Sequence, residues 1–116
     1  QSIVTKCDVI YIPTDNTFAS AMPIVRDVTS KAKIPVICGE AGMVTNGGLA
    51  TLGINYSDLG YQTGLMALKI LRGEAKPADM PIESSKKFDF AINGTIAQEI
   101  GLEIPEDLKQ YVIEGK

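Results

Sequence analysis

The sequence predicts an α/β fold in which helices flank a Rossmann-like, mostly parallel sheet. Three observations predict it. Short apolar runs such as residues 8–13 do not alternate with polar residues, which suits strands that are covered on both faces. Segments with helical spacing separate those runs, so strands and helices alternate along the chain. Polar or glycine-rich residues follow the predicted strands, at the edge where such sheets bind ligands.

The first third of the chain predicts a β-α-β unit with a right-handed crossover. Residues 8–13 form the first strand and residues 34–38 the second. Residues 18–31 form the helix between them, in which we expect Pro23 either to fall near the first turn or to kink the helix. The apolar positions that recur at helical spacing are Phe18, Ala21, Met22, Val25 and Val28.

The middle of the chain begins with a glycine-rich stretch, residues 39–48, for which we predict turns and close backbone approaches. Residues 49–54 form a third strand, and a long helix follows over residues 57–71. Gly60 and Gly64 lie four positions apart on that helix. We interpret them as a contact surface that lets the helix pack closely on the sheet.

The last third predicts less regular structure. Prolines make residues 77–81 irregular, and residues 87–92 alternate as a strand does. Residues 94–101 form a short helix, and Pro105 begins a last helix that ends near Ile113.

Composition excludes several function classes. The chain has 116 residues, enough for one small domain; its net charge is −3 and its longest basic run is Lys86-Lys87, so we expect no nucleic-acid surface. It has no histidine, which removes the commonest general base and a common metal ligand. The glycines match neither phosphate-loop pattern. We therefore expect a protein that is not an enzyme and that holds no metal and no cofactor.

The two cysteines, Cys7 and Cys38, lie at opposite ends of neighbouring parallel strands. This offset amounts to roughly 15 Å, which exceeds the reach of a disulfide. We expect two buried free thiols. No apolar run approaches about 20 residues and no signal peptide opens the sequence, so we expect no membrane span.

Polar residues follow each of the first three strands. An aspartate at a strand end beside a helix start can accept hydrogen bonds from a ligand ammonium, while the helix start offers N–H groups to a carboxylate. The alternative is that these side chains only cap helices or lie in solvent, and for Tyr56 that it packs on a surface instead of stacking on a ligand. The candidate ligand-binding residues are Thr14, Asp15, Asn16, Glu40, Ala41, Asn55 and Tyr56. Asn93 follows the fourth strand, whose place in the sheet the sequence leaves open.

Six short sequence motifs follow one another along the chain, and their order and spacing together are more specific than any one motif alone. They are Cys-Asp-Val-Ile-Tyr-Ile-Pro-Thr-Asp-Asn (7–16), Ile-Pro-Val-Ile (34–37), Gly-Gly-Leu-Ala-Thr-Leu-Gly-Ile-Asn-Tyr (47–56), Leu-Gly-Tyr-Gln-Thr-Gly (59–64), Ile-Leu-Arg-Gly (70–73) and Ile-Asn-Gly-Thr-Ile-Ala-Gln-Glu-Ile-Gly-Leu (92–102). Over nearly the whole chain the series resembles the C-terminal third of the ABC-transporter substrate-binding proteins associated with tryptophan and other aromatic amino acids.

The resemblance implies a partial type I periplasmic-binding-protein fold, in which two lobes close over a ligand. Residues 1–50 would belong to the second lobe, residues 51–76 would return to the first, and residues 77–116 would cross back. The seven candidate residues would then lie at or near the inter-lobe cleft. Members of the family are longer, so we expect this chain to be a C-terminal portion that binds ligand poorly alone and whose open sheet edges pair with a second copy.

The resemblance also implies partners and a location. A longer parent protein would capture a small molecule, most simply an amino acid, and deliver it to an ABC permease from an extracytoplasmic position, as a lipoprotein or in the periplasm. Two alternatives stay open: the effector-sensing domain of a LacI-like transcription regulator, and a doubly wound enzyme such as a small-molecule transferase.

Overall fold

The computed structural model of the protein describes residues 2–115 and has the predicted α/β architecture. Four α-helices and two 3₁₀ helices alternate with five strands in this part of the chain. The strands are β1 (Ile10–Ile12), β2 (Val36–Cys38), β3 (Ala50–Ile54), β4 (Phe88–Asn93) and β5 (Val112–Ile113). The α-helices are α1 (Asn16–Ala32), α2 (Ala41–Thr45), α3 (Tyr56–Leu71) and α4 (Gly94–Ile100), and the 3₁₀ helices are Pro77–Asp79 and Glu106–Tyr111.

The strands form one sheet in the order β1-β2-β3-β4-β5. β1 pairs with β2 in parallel, β2 with β3 in parallel, and β4 with β5 in parallel. Asn93, the last residue of β4, donates its backbone N–H to the carbonyl of Leu49, just before β3 begins, at 2.8 Å. β4 therefore runs antiparallel to β3, and its carboxyl end lies at the sheet edge opposite the carboxyl ends of β1, β2 and β3.

Two hydrophobic clusters hold the sheet to its helices. The first joins α1 and α2 to β1 and β2 and consists of Ile12, Met22, Val36, Cys38, Met43 and Val44. The second joins α4 to β4 and to the start of β3 and consists of Leu49, Ile92, Ile96, Ala97 and Ile100. Burial of these side chains is the main favourable term, at about 1.5–3 kcal/mol for each large apolar side chain.

Helix α1 begins after Asp15 and ends at Ala32, and the capping residue Lys33 that follows has a left-handed φ of 56°. Pro23 lies inside the helix and not near its first turn, so the first of the two expectations for this proline was wrong. Proline has no N–H, and α1 lacks one interior hydrogen bond there. Met22, beside it, is completely buried and fixes this part of the helix against the core.

Two elements differ from the sequence prediction. The glycine-rich stretch contains a five-residue helix, α2, where only turns were predicted. The predicted last helix is instead a 3₁₀ helix followed by β5, which completes the sheet. In both cases tertiary contacts decide the local structure, because a single turn gains too few hydrogen bonds to form alone.

The chain divides into two compact units. Unit 1 consists of the described residues up to Gly53 and from Asp89 onward, and unit 2 is Ile54–Phe88. Both hydrophobic clusters belong to unit 1. Within the described residues, no helix is long and apolar enough to cross a membrane.

Unit 2 is built on α3, none of whose side chains is buried. Gln62 donates to Glu83 at 2.7 Å, and Lys87 donates to Asp58 at 3.1 Å, so polar contacts tie the segment after α3 back to the helix. The close packing predicted at its two glycines was wrong for the described part of the chain. Apart from the adjacent residues and the backbone of the helix itself, no described atom lies within 4 Å of a Cβ placed at Gly60 or Gly64.

Candidate functional site

The carboxyl ends of β1 and β2 lie side by side in unit 1. The N–H of Gly39, just after β2, donates to the carbonyl of Ile12 at the end of β1, at 2.9 Å. Thr14 follows β1 and approaches Gly39 so closely that a Cβ there would lie 2.5 Å from the Thr14 nitrogen. This edge therefore brings together the five candidate residues of unit 1, which are Thr14, Asp15, Asn16, Glu40 and Ala41.

Asp15 is exposed at the end of β1 and caps helix α1. Its Oδ1 accepts the N–H of Phe18 at 2.9 Å, while its backbone carbonyl accepts the N–H of Ala19 at 2.8 Å. The structure thus confirms the capping role that the sequence offered as one alternative. The second carboxylate oxygen, Oδ2, accepts no hydrogen bond from the part of the chain that the structure describes, so it is available to a donor from outside.

Glu40 caps the short helix α2 with both of its carboxylate oxygens. Oε2 accepts the N–H of Gly42 at 2.7 Å, and Oε1 accepts the N–H of Met43 at 2.8 Å. Its side chain is half-buried, and Ala41 is the first residue of the helix. The sequence did not predict this cap, because glutamate is not among the preferred N-cap residues.

Asn55 and Tyr56 belong to unit 2. Asn55 Oδ1 accepts the N–H of Asp58 at 2.9 Å and caps α3. Tyr56 is the first residue of α3, and 55% of its surface is exposed. The sequence alternatives for this pair were a cap and a ligand contact, and the structure shows the cap for Asn55.

Asn93 is fully buried at the opposite edge of the sheet. Its Nδ2 donates to the carbonyl of Val44 at 2.8 Å, and its Oδ1 accepts the N–H of Ile96 at 3.1 Å. A single amide therefore joins β4, α2 and α4. Asn93 is a structural residue, and because it ends the antiparallel strand β4 it does not lie at the edge that carries Asp15.

The two cysteines are free thiols. Cys38 is buried, but Cys7 is half-buried and precedes β1, so the expectation that both are buried was wrong for Cys7. Burial, with a smaller contribution from the negative charge of Glu40, raises the pKa of the Cys38 thiol to about 12. Cys38, the last residue of β2, is therefore a neutral core side chain and not a nucleophile.

The edge formed by β1 and β2 has the chemistry for a small zwitterion. Asp15 offers an exposed carboxylate oxygen to an ammonium group, and the adjacent start of the 17-residue helix α1 offers N–H groups to a carboxylate. The described residues contain no group of three or more histidine, cysteine, aspartate or glutamate side chains placed to hold a metal ion.

Comparison with known proteins gives a family model, described as "ABC transporter substrate binding protein", that matches residues 1–116. The tyrosine-binding protein of Clostridioides difficile (strain R20291) is 44% identical over 93 residues. That match covers 80% of this chain and only 27% of the relative. The chain thus spans about a quarter of the length of this curated relative.

Solved structures show the same fold. A ligand-free, open structure of a substrate-binding protein with adhesive properties from Clostridium difficile is 46% identical, with a TM-score of 0.77. A Streptococcus pneumonia ABC domain in complex with L-Trp is 40% identical, with a TM-score of 0.83. The matches cover 99% and 97% of this chain and 39% of each solved chain. They confirm the predicted fold class and the resemblance drawn from the motifs, and they give no support to the regulator alternative.

Proposed function

Because this chain belongs to the ABC transporter substrate-binding protein family, we propose that it is the ligand-holding C-terminal part of a longer protein that captures an amino acid for an ABC importer. The observation that supports the proposal is the hydrogen bonding and exposure of the Asp15 side chain. One of its carboxylate oxygens accepts the N–H of Phe18 and caps helix α1, and the side chain as a whole is exposed beside the start of that helix. A carboxylate fixed in this way is preorganised for an ammonium group, so little entropy is lost on binding.

Aromatic amino acids are the proposed ligands. The support comes from two relatives, one named a tyrosine-binding protein and one solved with L-Trp. In the proposed complex, Asp15 accepts hydrogen bonds from the ligand ammonium, and Thr14, Asn16 and Ala41 line the same edge. Glu40 is kept as a candidate contact, although both of its oxygens already accept N–H groups of α2.

The proposed parent protein has two lobes that close over the ligand by hinge motion. We propose that residues 1–50 belong to its second lobe, that residues 51–76 return to the first, and that residues 77–116 cross back. The division of the chain into two units supports this path, because the chain leaves unit 1 after Gly53 and re-enters it at Asp89. The re-entry therefore comes later than residue 76. Asn55 and Tyr56, which belong to unit 2, remain candidate ligand contacts from the first lobe.

We further propose that the parent acts outside the cytoplasmic membrane, as a lipoprotein or in the periplasm, and hands its ligand to a membrane permease. No catalytic step is part of this function, because capture and release need only a change of conformation. In isolation, this 116-residue chain would bind ligand weakly and would tend to pair through its open sheet edges.

Replacing Asp15 by asparagine tests the site. Asparagine and aspartate cap helices about equally well, so Asp15→Asn removes the charge and preserves the cap. In the full-length parent protein we expect Asp15→Asn to weaken L-tryptophan or L-tyrosine binding about ten-fold or more, since a charge-assisted hydrogen bond is lost. Isothermal titration calorimetry measures the affinity, and thermal unfolding reports the fold.

Two further variants complete the test. Asp27→Asn makes the same change at an exposed position on the same helix and should leave the affinity unchanged. Asp15→Ala should weaken binding as well and should also cost about 1 kcal/mol of stability, because the cap is lost. Unchanged affinity in Asp15→Asn would refute the ligand role of Asp15.

A further inference from the structure

Two glycines separate the strand ends that carry the candidate residues. The first is Gly39, directly after β2. A Cβ built there would lie 2.5 Å from the Thr14 nitrogen and 2.6 Å from Thr14 Oγ1, with the Pro13 carbonyl carbon at 3.1 Å. Because the nearest atom belongs to the backbone, a side chain at Gly39 would have to push the segment that carries Asp15 away from β2.

The second is Gly53, near the end of β3. A Cβ there would lie 3.0 Å from Glu40 Cα and 3.1 Å from the carbonyl oxygen of Gly39. It would also lie 2.9 Å from Thr51 Oγ1. Here too the neighbours include backbone atoms, so a side chain would displace the loop that begins α2.

Backbone conformation does not explain these glycines. The described glycines with positive φ are Gly47, Gly73 and Gly101, and neither Gly39 nor Gly53 is among them. Any residue could adopt their conformation, so what each position requires is the absence of a Cβ. Both are largely shielded from solvent, Gly39 half-buried and Gly53 buried.

We propose that Gly39 and Gly53 are positioning residues for ligand capture: they set the spacing between the ends of β1, β2 and β3, and so the place of Asp15 and of the start of α1. The inference rests on the proposed function. Because Asp15 is bonded to Thr14, a displacement of Thr14 also moves Asp15. Hydrogen bonds weaken steeply with distance and angle, so this movement weakens the contact between Asp15 and the ligand. Substitution at either glycine therefore lowers affinity in a protein that is still folded.

The test compares three alanine variants of the full-length parent protein. Gly39→Ala and Gly53→Ala insert a methyl group at the proposed edge. Gly94→Ala is the control, since its Cβ would lie 2.9 Å from Val112 Cγ1, beside the carboxyl end of β4 at the opposite edge of the sheet. Thermal unfolding measures stability, and calorimetry with L-tryptophan and L-tyrosine measures the affinity of the folded fraction.

We expect the melting temperature to fall in all three variants, and the affinity to fall about ten-fold or more only in Gly39→Ala and Gly53→Ala. Equal affinity in all variants would overturn the inference, as would an equal loss in Gly94→Ala. Failure of Gly39→Ala and Gly53→Ala to fold would also overturn it, because the glycines would then be required for the fold itself. If the wild-type protein binds neither amino acid, the proposed function fails first, so the two failures are distinguishable.

Discussion

At the scale of single residues, one carboxylate oxygen of the exposed residue Asp15 accepts an N–H of helix α1. Glu40 differs, because α2 engages both of its oxygens. Each acidic residue follows a strand, and the sequence favoured Asp15 because it lies beside a helix start, whereas a loop carboxylate such as Glu40 is usually solvated. The sequence could not predict that Glu40 caps a helix with both oxygens, because the number of N–H groups that a carboxylate accepts depends on the path of the backbone after the strand.

Thr51 allows a stability prediction at the same scale. It is 1% exposed, and its hydroxyl has no hydrogen-bond partner in the described part of the chain. Valine has nearly the same shape without the hydroxyl, so Thr51→Val should leave stability unchanged or raise it by about 1 kcal/mol. Urea unfolding measures the change. A loss of more than about 1 kcal/mol would mean that the hydroxyl has a partner, such as a buried water molecule.

Cys38 allows a prediction about reactivity. Because burial raises its pKa to about 12, only about one thiol in ten thousand is ionised at pH 8, and the thiolate is the form that reacts. Iodoacetamide should therefore label half-buried Cys7 in the folded protein and spare Cys38 until urea is added. Mass spectrometry of tryptic peptides measures both. Rapid labelling of Cys38 without urea would contradict its burial.

At the scale of elements, polar side chains that follow strands begin the helices α1, α2, α3 and α4. The sequence predicted α1 and α3 because capping residues and helical spacing coincide there, and it also predicted a short helix at α4. It missed α2, whose cap is a glutamate, and it could not predict the direction of β4. That direction follows from pairing with β3, which is set by contacts between distant parts of the chain and leaves no local pattern.

An ion pair links two of these helices and gives a pH prediction. Glu99 on α4 accepts hydrogen bonds from Arg26 and Ser30 on α1, and the bond from Arg26 is the main reason why the pKa of Glu99 is lowered. A carboxyl with a lowered folded pKa stabilises the protein above its unfolded pKa of about 4.3, and this contribution is lost as the pH falls below that value. The pair is partly exposed, so we expect less than about 1 kcal/mol.

The Glu99→Gln variant tests this prediction through urea unfolding at pH 7 and pH 3. The variant should be slightly less stable than the wild type at pH 7, and the difference should be smaller at pH 3. Glu106→Gln is the control, since Glu106 is exposed and its ion pair is with Lys109 in the same turn. A difference between wild type and Glu99→Gln that is as large at pH 3 as at pH 7 would contradict the account.

At the scale of the whole molecule, unit 2 exposes apolar side chains along α3, including Tyr61 at 71% and Leu71 at 84%. A helix with apolar residues on several faces is normally covered by protein. This fits a proposed parent in which the first lobe covers α3, and it agrees with the 39% of each solved relative that the chain spans. The order of the motifs predicted the family, but no local pattern could predict that none of the side chains of α3 is buried within the part of the chain that the structure describes.

The central claim is that the carboxyl ends of β1 and β2 form one wall of an amino-acid site, with Asp15 holding the ammonium group. A crystal structure of the full-length parent protein grown with L-tryptophan tests it most directly. The account predicts ligand density at this edge, with the ligand nitrogen about 3 Å from an Asp15 carboxylate oxygen. Ligand density elsewhere, with Asp15 contacting only helix α1 and solvent, would contradict it.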